Sequence, residues 1–138
     1  MKKVMISIAG KQEAAGESDK IELVTEGEYE YSPEQSVLRY EESSITGMEG
    51  TTTTFSIEPA VVTLSREGSV TSQMLFQKGR KHIFLYSTPY GASTMGISTR
   101  RLSVKIDENG GHMEIGYGLD VDNVKISNNE FVIDFKEA

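Results

Sequence analysis

Chemistry in this chain would have to come from two histidines, 21 carboxylates and a run of hydroxyls, because it has no cysteine. His82 and His112 carry the side chains that ordinarily titrate near neutral pH. With a carboxylate such as Glu114 they fall short of a metal site, which wants three or four ligands in tight geometry. No spacing in the chain supports such a set. A nucleophile elbow, a phosphate loop, a dinucleotide glycine fingerprint and a His-Glu-x-x-His helix are all missing. The nearest string, Gly96-Ile-Ser98-Thr-Arg100, lacks the final glycine and lies in a strand-like segment. A glycosidase needs two carboxylates at a set gap, and no pair stands out. No catalytic residue, metal ligand or cofactor is therefore assigned. A small barrel enzyme built on Glu49, His82 and His112 is the minor reading.

The most unusual string runs Thr46-Gly-Met-Glu-Gly-Thr-Thr-Thr-Thr-Phe55. Gly47 and Gly50 suit a backbone that needs positive φ or close approach. Beyond them a β-branched strand begins, with Thr51 and Thr53 sharing a face with Phe55 and Ile57. In a barrel this predicts Glu49 at the rim and the hydroxyls of Thr51 and Thr53 turned inward. Tyr29, Tyr40 and Tyr86 are candidates to line the same interior, their hydroxyls reaching its wet end. Arg100 shares a parity with Leu102, Val104 and Ile106, which would make it an inner cation awaiting an anionic partner. The opposite parity would instead place Arg101 inside with Ile97 and Met95. The candidate ligand-binding set is Tyr29, Tyr40, Glu49, Thr51, Thr53, Phe55, Tyr86 and Arg100.

The elements that must position these residues are strands. Over 20–31, Ile21, Leu23, Thr25, Gly27, Tyr29 and Tyr31 fall on one face, and Glu22, Val24, Glu26, Glu28 and Glu30 on the other. Period-2 alternation of this kind marks a strand with one buried and one solvated face. Similar patterns predict strands at 2–9, 19–31, 35–43, 51–58, 60–66, 69–78, 81–87, 93–107, 111–119, 122–127 and 130–136. Turns are expected at Ser32-Pro33-Glu34, Arg66 to Ser69, Gln77 to Arg80, Thr88 to Gly91, Asp107 to Gly111 and Ser127 to Glu130. The window 11–18 has too few apolar residues for a buried helix stripe and reads as a loop with at most one helical turn. A long meander leaves two exposed edges unless it closes on itself. The expected fold is all-β: one antiparallel up-and-down barrel of about eight to ten strands spanning 1–138, with a sandwich as the alternative.

Charge sharpens the picture. The chain has 138 residues and a net charge of −7. Residues 1–60 hold 12 acids and 5 bases, whereas 66–105 hold seven bases and one acid. This predicts a barrel with an acidic wall at Glu26, Glu28 and Glu30 and a basic side elsewhere. The overall sign argues against general binding of nucleic acid, which needs phosphate neutralisation. No run approaches a membrane span, and the first apolar run is too short for a signal peptide. A cytoplasmic location is expected.

Three segments carry a family resemblance: Asp19-Lys-Ile-Glu-Leu-Val-Thr-Glu-Gly27, Thr46-Gly-Met-Glu-Gly-Thr-Thr-Thr-Thr and Tyr86-Ser-Thr-Pro-Tyr-Gly91. Together they resemble the YwiB-like family of small bacterial proteins, a domain-of-unknown-function family, along essentially the whole chain. The resemblance implies a calycin-like, that is lipocalin-style, antiparallel barrel and brings no activity or functional residues. Lipocalins proper place a Gly-x-Trp string on the first strand. Here Gly10-Lys-Gln follows that strand and the chain has no Trp. The leading functional expectation is a non-catalytic barrel for a small, partly apolar or anionic ligand, which requires space inside. The alternative is a protein-interaction or structural module working through the segregated charge.

Overall fold

The computed structural model describes residues 1–138. Ten strands follow in order: β1 Lys2–Ala14, β2 Glu17–Glu30, β3 Ser36–Glu41, β4 Thr51–Ile57, β5 Val62–Gly68, β6 Ser72–Phe76, β7 Lys81–Thr88, β8 Gly91–Asp107, β9 Gly110–Val121 and β10 Val124–Glu137. A single 3-10 turn, Ser44–Thr46, lies between β3 and β4. All ladders are antiparallel and form one sheet in the order β6-β5-β4-β3-β2-β1-β10-β9-β8-β7. The first and last strands pair, so the sheet closes across the chain ends. The remaining gap lies between β6 and β7, which are neighbours in sequence. It is bridged at one point, where Thr71 and Ser87 exchange two backbone hydrogen bonds of 2.9 Å. The molecule is thus a nearly closed up-and-down barrel, as the turn pattern predicts.

Alternation in β2 is as expected. Leu23 and Tyr29 are buried, whereas Glu22, Val24, Glu26, Glu28 and Glu30 are exposed. Glu26 and Glu28 are partly neutralised by Lys3 and Arg39. The two-sided charge expectation holds less well, because Arg66 of the basic stretch turns inward.

Three local expectations are corrected. Residues 11–18 are no loop: β1 and β2 run to Ala14 and from Glu17, joined by Ala15 and Gly16, both at positive φ (52° and 81°). Two central residues at positive φ give a tight hairpin turn whose twist matches the strands. The pieces 122–127 and 130–136 are one strand, β10, and Ser127 to Glu130 lie inside it. The real hairpin turn is Asp122-Asn123, again with both φ positive (51° and 66°).

The third correction concerns β8. Its ladder with β9 slips between Thr99 and Arg101, a β-bulge. A bulge adds one residue and inverts the inside-outside parity beyond it. Ile97 and Thr99 therefore face in on one side of the bulge, and Leu102, Val104 and Ile106 face the core on the other. Arg100 and Arg101 both point out. Each parity alternative for this strand assumed regularity along its whole length, and so neither was right for the whole strand.

Twenty buried apolar and aromatic residues fill the barrel, including Val4, Ile6, Tyr29, Leu38, Phe55, Leu64, Phe76, Ile97, Ile115 and Phe135. Tyr29 packs edge-on against Phe135 with ring centroids 4.7 Å apart. This half of the interior is occupied by side chains, consistent with the width of a small barrel.

Candidate functional site

The interior changes character along β3 to β6, where the register lines up residues row by row. Leu38, Phe55, Leu64 and Met74 form one apolar row. One step towards the β3–β4 connection, the next row is Tyr40, Thr53, Arg66 and Ser72. Beyond β3, Glu42 is buried beside Thr51. All of these share the inward parity of their strands, so a polar band follows directly from the apolar one.

Glu42 anchors the band, its side chain fully enclosed. Thr53 Oγ1 donates to Glu42 Oε2 at 2.5 Å, and Thr46 Oγ1 to Oε1 at 3.2 Å. The Arg66 guanidinium lies 3.8 Å from Oε2 through Nε, with its own side chain 14% exposed. That gap allows charge attraction but is no hydrogen bond. Burial, followed by the negative charge of Glu42, holds the Tyr40 phenol well above its ordinary range. Thr51 Oγ1 is already used, accepting from the Val70 amide at 3.1 Å.

A second polar row faces the first. Thr99, Tyr117 and Asn129 are register partners across β8, β9 and β10. Burial raises the Tyr117 pKa to about 12, opposed by the positive charge of Arg66. Its ring packs against Phe76 at 5.0 Å and stacks on Phe131 at 6.0 Å. Phe131 in turn lines a cleft of ≈ 260 Å³ with Gly10, Gln12, Ile21 and Asn129, where the β1–β2 hairpin outruns the wall.

Three buried polar atoms lack any hydrogen-bond partner: Arg66 Nε, Ser72 Oγ and Thr99 Oγ1. Two of them share the first polar row and the third belongs to the second. Buried polar groups are nearly always satisfied, so three in one region single it out. In chemical terms the band offers a cationic donor and two hydroxyls to an acceptor group. It presents no nucleophile paired with a base.

The candidate residues distribute unevenly over this geometry. Tyr40, Thr51, Thr53 and Phe55 are buried in or next to the band. Tyr29 is inside but at the other end, donating its hydroxyl to the Asp107 carbonyl at 2.8 Å. Tyr86 is half-buried on β7. Glu49 is exposed in the β3–β4 connection, where Gly47 and Gly50 do take positive φ. Arg100 is no inner cation: it is exposed on the outer wall and bonded to Asn128. The inner cation is Arg66. Glu42, Arg66, Ser72, Thr99 and Tyr117 were not among the candidates. Their signal was parity: Glu42 continues the face of Leu38 and Tyr40, Arg66 that of Val62 and Leu64, and Tyr117 that of Met113 and Ile115.

Glu49, His82 and His112 are not brought together. His82 contacts Gln77 at 3.3 Å. His112 sits on the outer wall between Asp134 and Glu114.

Fold and site together define the class: an antiparallel, nearly closed β-barrel with one polar end. The chain belongs to the family described as "Domain of unknown function (DUF1934)", whose model matches residues 6–133. Among solved structures it is similar to the ywiB protein from Bacillus subtilis, at 21% identity and a TM-score of 0.89, over 99% of this chain and 92% of that one. No curated protein matches. No helix here is long and apolar enough to cross a membrane.

Proposed function

We propose that the protein is a non-catalytic binding barrel acting in the cytoplasm. It takes a small, partly apolar molecule by a carboxylate or carbonyl group at the polar band. The filled apolar half argues for binding at that end and against a central cavity. The observation that carries the reading is the trio of unpartnered buried atoms on Arg66, Ser72 and Thr99. An acceptor group of the ligand is the partner these donors lack, and Tyr117, stacked on Phe131 of the cleft, supplies the apolar surface beside them.

The test compares wild type with Thr99→Val and Ser72→Val. Removing an unsatisfied buried hydroxyl should leave stability unchanged or raised. Native mass spectrometry after gentle purification, with a thermal-shift screen of fatty acids and short carboxylates, reads binding. A bound mass or shift in wild type that both variants lose supports the proposal. Its absence in wild type, or its full retention in both variants, overturns it.

A protein partner is the second reading, favoured by Ile83 and Leu85. These are 62% and 57% exposed on β7, beside the open seam. Equal capture of partners by wild type and Ile83→Lys, at low and moderate salt, would remove it.

A further inference from the structure

The β8 bulge creates a second feature, on the outer wall. It turns Arg100 and Arg101 to the same side of the strand. On β9, Gly116 pairs with Arg101 and Gly118 with Ser98, just before the bulge. The result is a trough with a bare backbone floor, made of two clefts of ≈ 310 and ≈ 190 Å³ that share Arg100 as a wall.

The fold does not explain these glycines. Neither takes positive φ. A Cβ at Gly118 would meet its nearest atoms, Lys125 Cε and Asn128 Oδ1, at 3.7 and 3.8 Å, and one at Gly116 would meet Arg101 Cβ at 3.4 Å. These are ordinary contacts. Gly27 and Gly111 differ, since a Cβ there would run into Ile6 or Ile106. A glycine inside a strand weakens it and commonly marks a place where something approaches the backbone closely.

The charges beside Gly118 say what approaches. Arg100 makes no ion pair, and its Nη2 donates to Asn128 Oδ1 at 2.7 Å. That bond steadies the guanidinium and leaves its other donors free. Lys125 lies along the opposite side of Gly118 and also makes no ion pair. The carboxylate in the cleft over Gly118, Asp120, is engaged by Lys81 at 3.1 Å, and the adjoining cleft carries Glu13, paired with Lys11, and Glu130.

We propose that the wall over Gly118 is a binding site for a small oxyanion of the phosphate type, held between Arg100 and Lys125. Planar guanidinium donors suit such oxygens, and the missing side chain lets the anion approach the sheet. This site is independent of the interior reading.

The experiment is a titration of the full chain with inorganic phosphate at constant ionic strength, followed by amide NMR. Saturable shifts centred on Gly118 and Lys125 are expected. Arg100→Gln should weaken binding about tenfold, the loss of one charge-assisted contact. Gly118→Val should abolish it, while Gly118→Ala keeps or raises the melting temperature. Linear, non-saturating shifts in wild type overturn the proposal. So does a folded Gly118→Val protein that keeps wild-type affinity. Should that variant not fold, undiminished affinity in Arg100→Gln overturns it equally.

Discussion

The Thr53 hydroxyl donates to the Glu42 carboxylate at 2.5 Å inside the barrel, where neither side chain meets solvent. A buried carboxylate persists only where its charge is answered. Here two threonine hydroxyls and one guanidinium answer it. Thr53→Val keeps the shape and removes a donor, and should cost about 1–3 kcal/mol. Arg66→Met leaves the carboxylate uncompensated and should cost about 3–5 kcal/mol, whereas Glu42→Leu with Arg66→Met should cost less than Arg66→Met alone. Urea unfolding of the set checks this. A double variant less stable than the Arg66 single would refute the pairing.

His112 gives a pH-dependent contribution. Its Nε2 meets Glu114 at 2.9 Å and its Nδ1 meets Asp134 at 2.5 Å. The hydrogen bond to Glu114 and then that to Asp134 raise its pKa above 6.5, and the same His112 bond lowers that of Glu114. A raised histidine pKa stabilises fully below the unfolded value, and the benefit disappears as pH rises through the folded value. The lowered Glu114 value acts in the opposite direction, its benefit disappearing as pH falls through the folded carboxylate value. Both contributions coexist between the two folded pKa values. Relative to wild type, His112→Gln should therefore lose stability most clearly in mildly acidic solution, and the gap should narrow towards alkaline pH. Thermal melts across that range are the check. A gap independent of pH would count against the bridge.

The bulge at Arg100 adds one residue between two halves of β8 that already face the same way. Thr99 pairs with Tyr117 and Arg101 with Gly116, so Arg100 is the extra residue. Arg100→Ala changes an exposed position and should shift stability by no more than about 0.5 kcal/mol. Deleting Arg100 leaves a regular ladder in which Ile97, Thr99, Leu102, Val104 and Ile106 all still face in. Circular dichroism should therefore show both variants folded. An unfolded deletion variant would mean that the bend made by the bulge is needed to close the barrel.

Ala15 holds φ 52° at the β1–β2 turn, a conformation that asparagine tolerates better than alanine. Ala15→Asn should therefore stabilise the protein, by up to about 1 kcal/mol. A lowered melting temperature would show that the turn is not under this strain.

Most of the barrel was legible along the chain. The alternation of Leu23, Tyr29 and the intervening glutamates in β2 reports its inner face directly, and the turns at Gln77 to Arg80 and Thr88 to Gly91 fall where proline and glycine placed them. The Ala15-Gly16 hairpin was hidden because alanine carries no turn signal. In the polar band, Thr53 was found through its parity with Phe55, and Tyr40 as a tyrosine able to line the interior. Glu42 and Arg66 were missed because charge ordinarily means solvent, a rule that fails when two opposite charges can answer each other inside.

By itself, then, the sequence determined a single all-β meander, the two faces of its regular strands and the class of side chain on each. Side-chain direction in a regular strand depends only on counting residues, which is local information. The tertiary structure alone decided that β1 closes on β10, that the seam opens between β6 and β7, and that β8 bulges at Arg100. It also decided that Tyr40, Thr53, Arg66 and Ser72 stand in one row. Register and bulges are properties of strand pairs, set by how whole faces pack against one another. The bulge sent Arg100 out to the wall, and the register set Arg66 between Thr53 and Ser72.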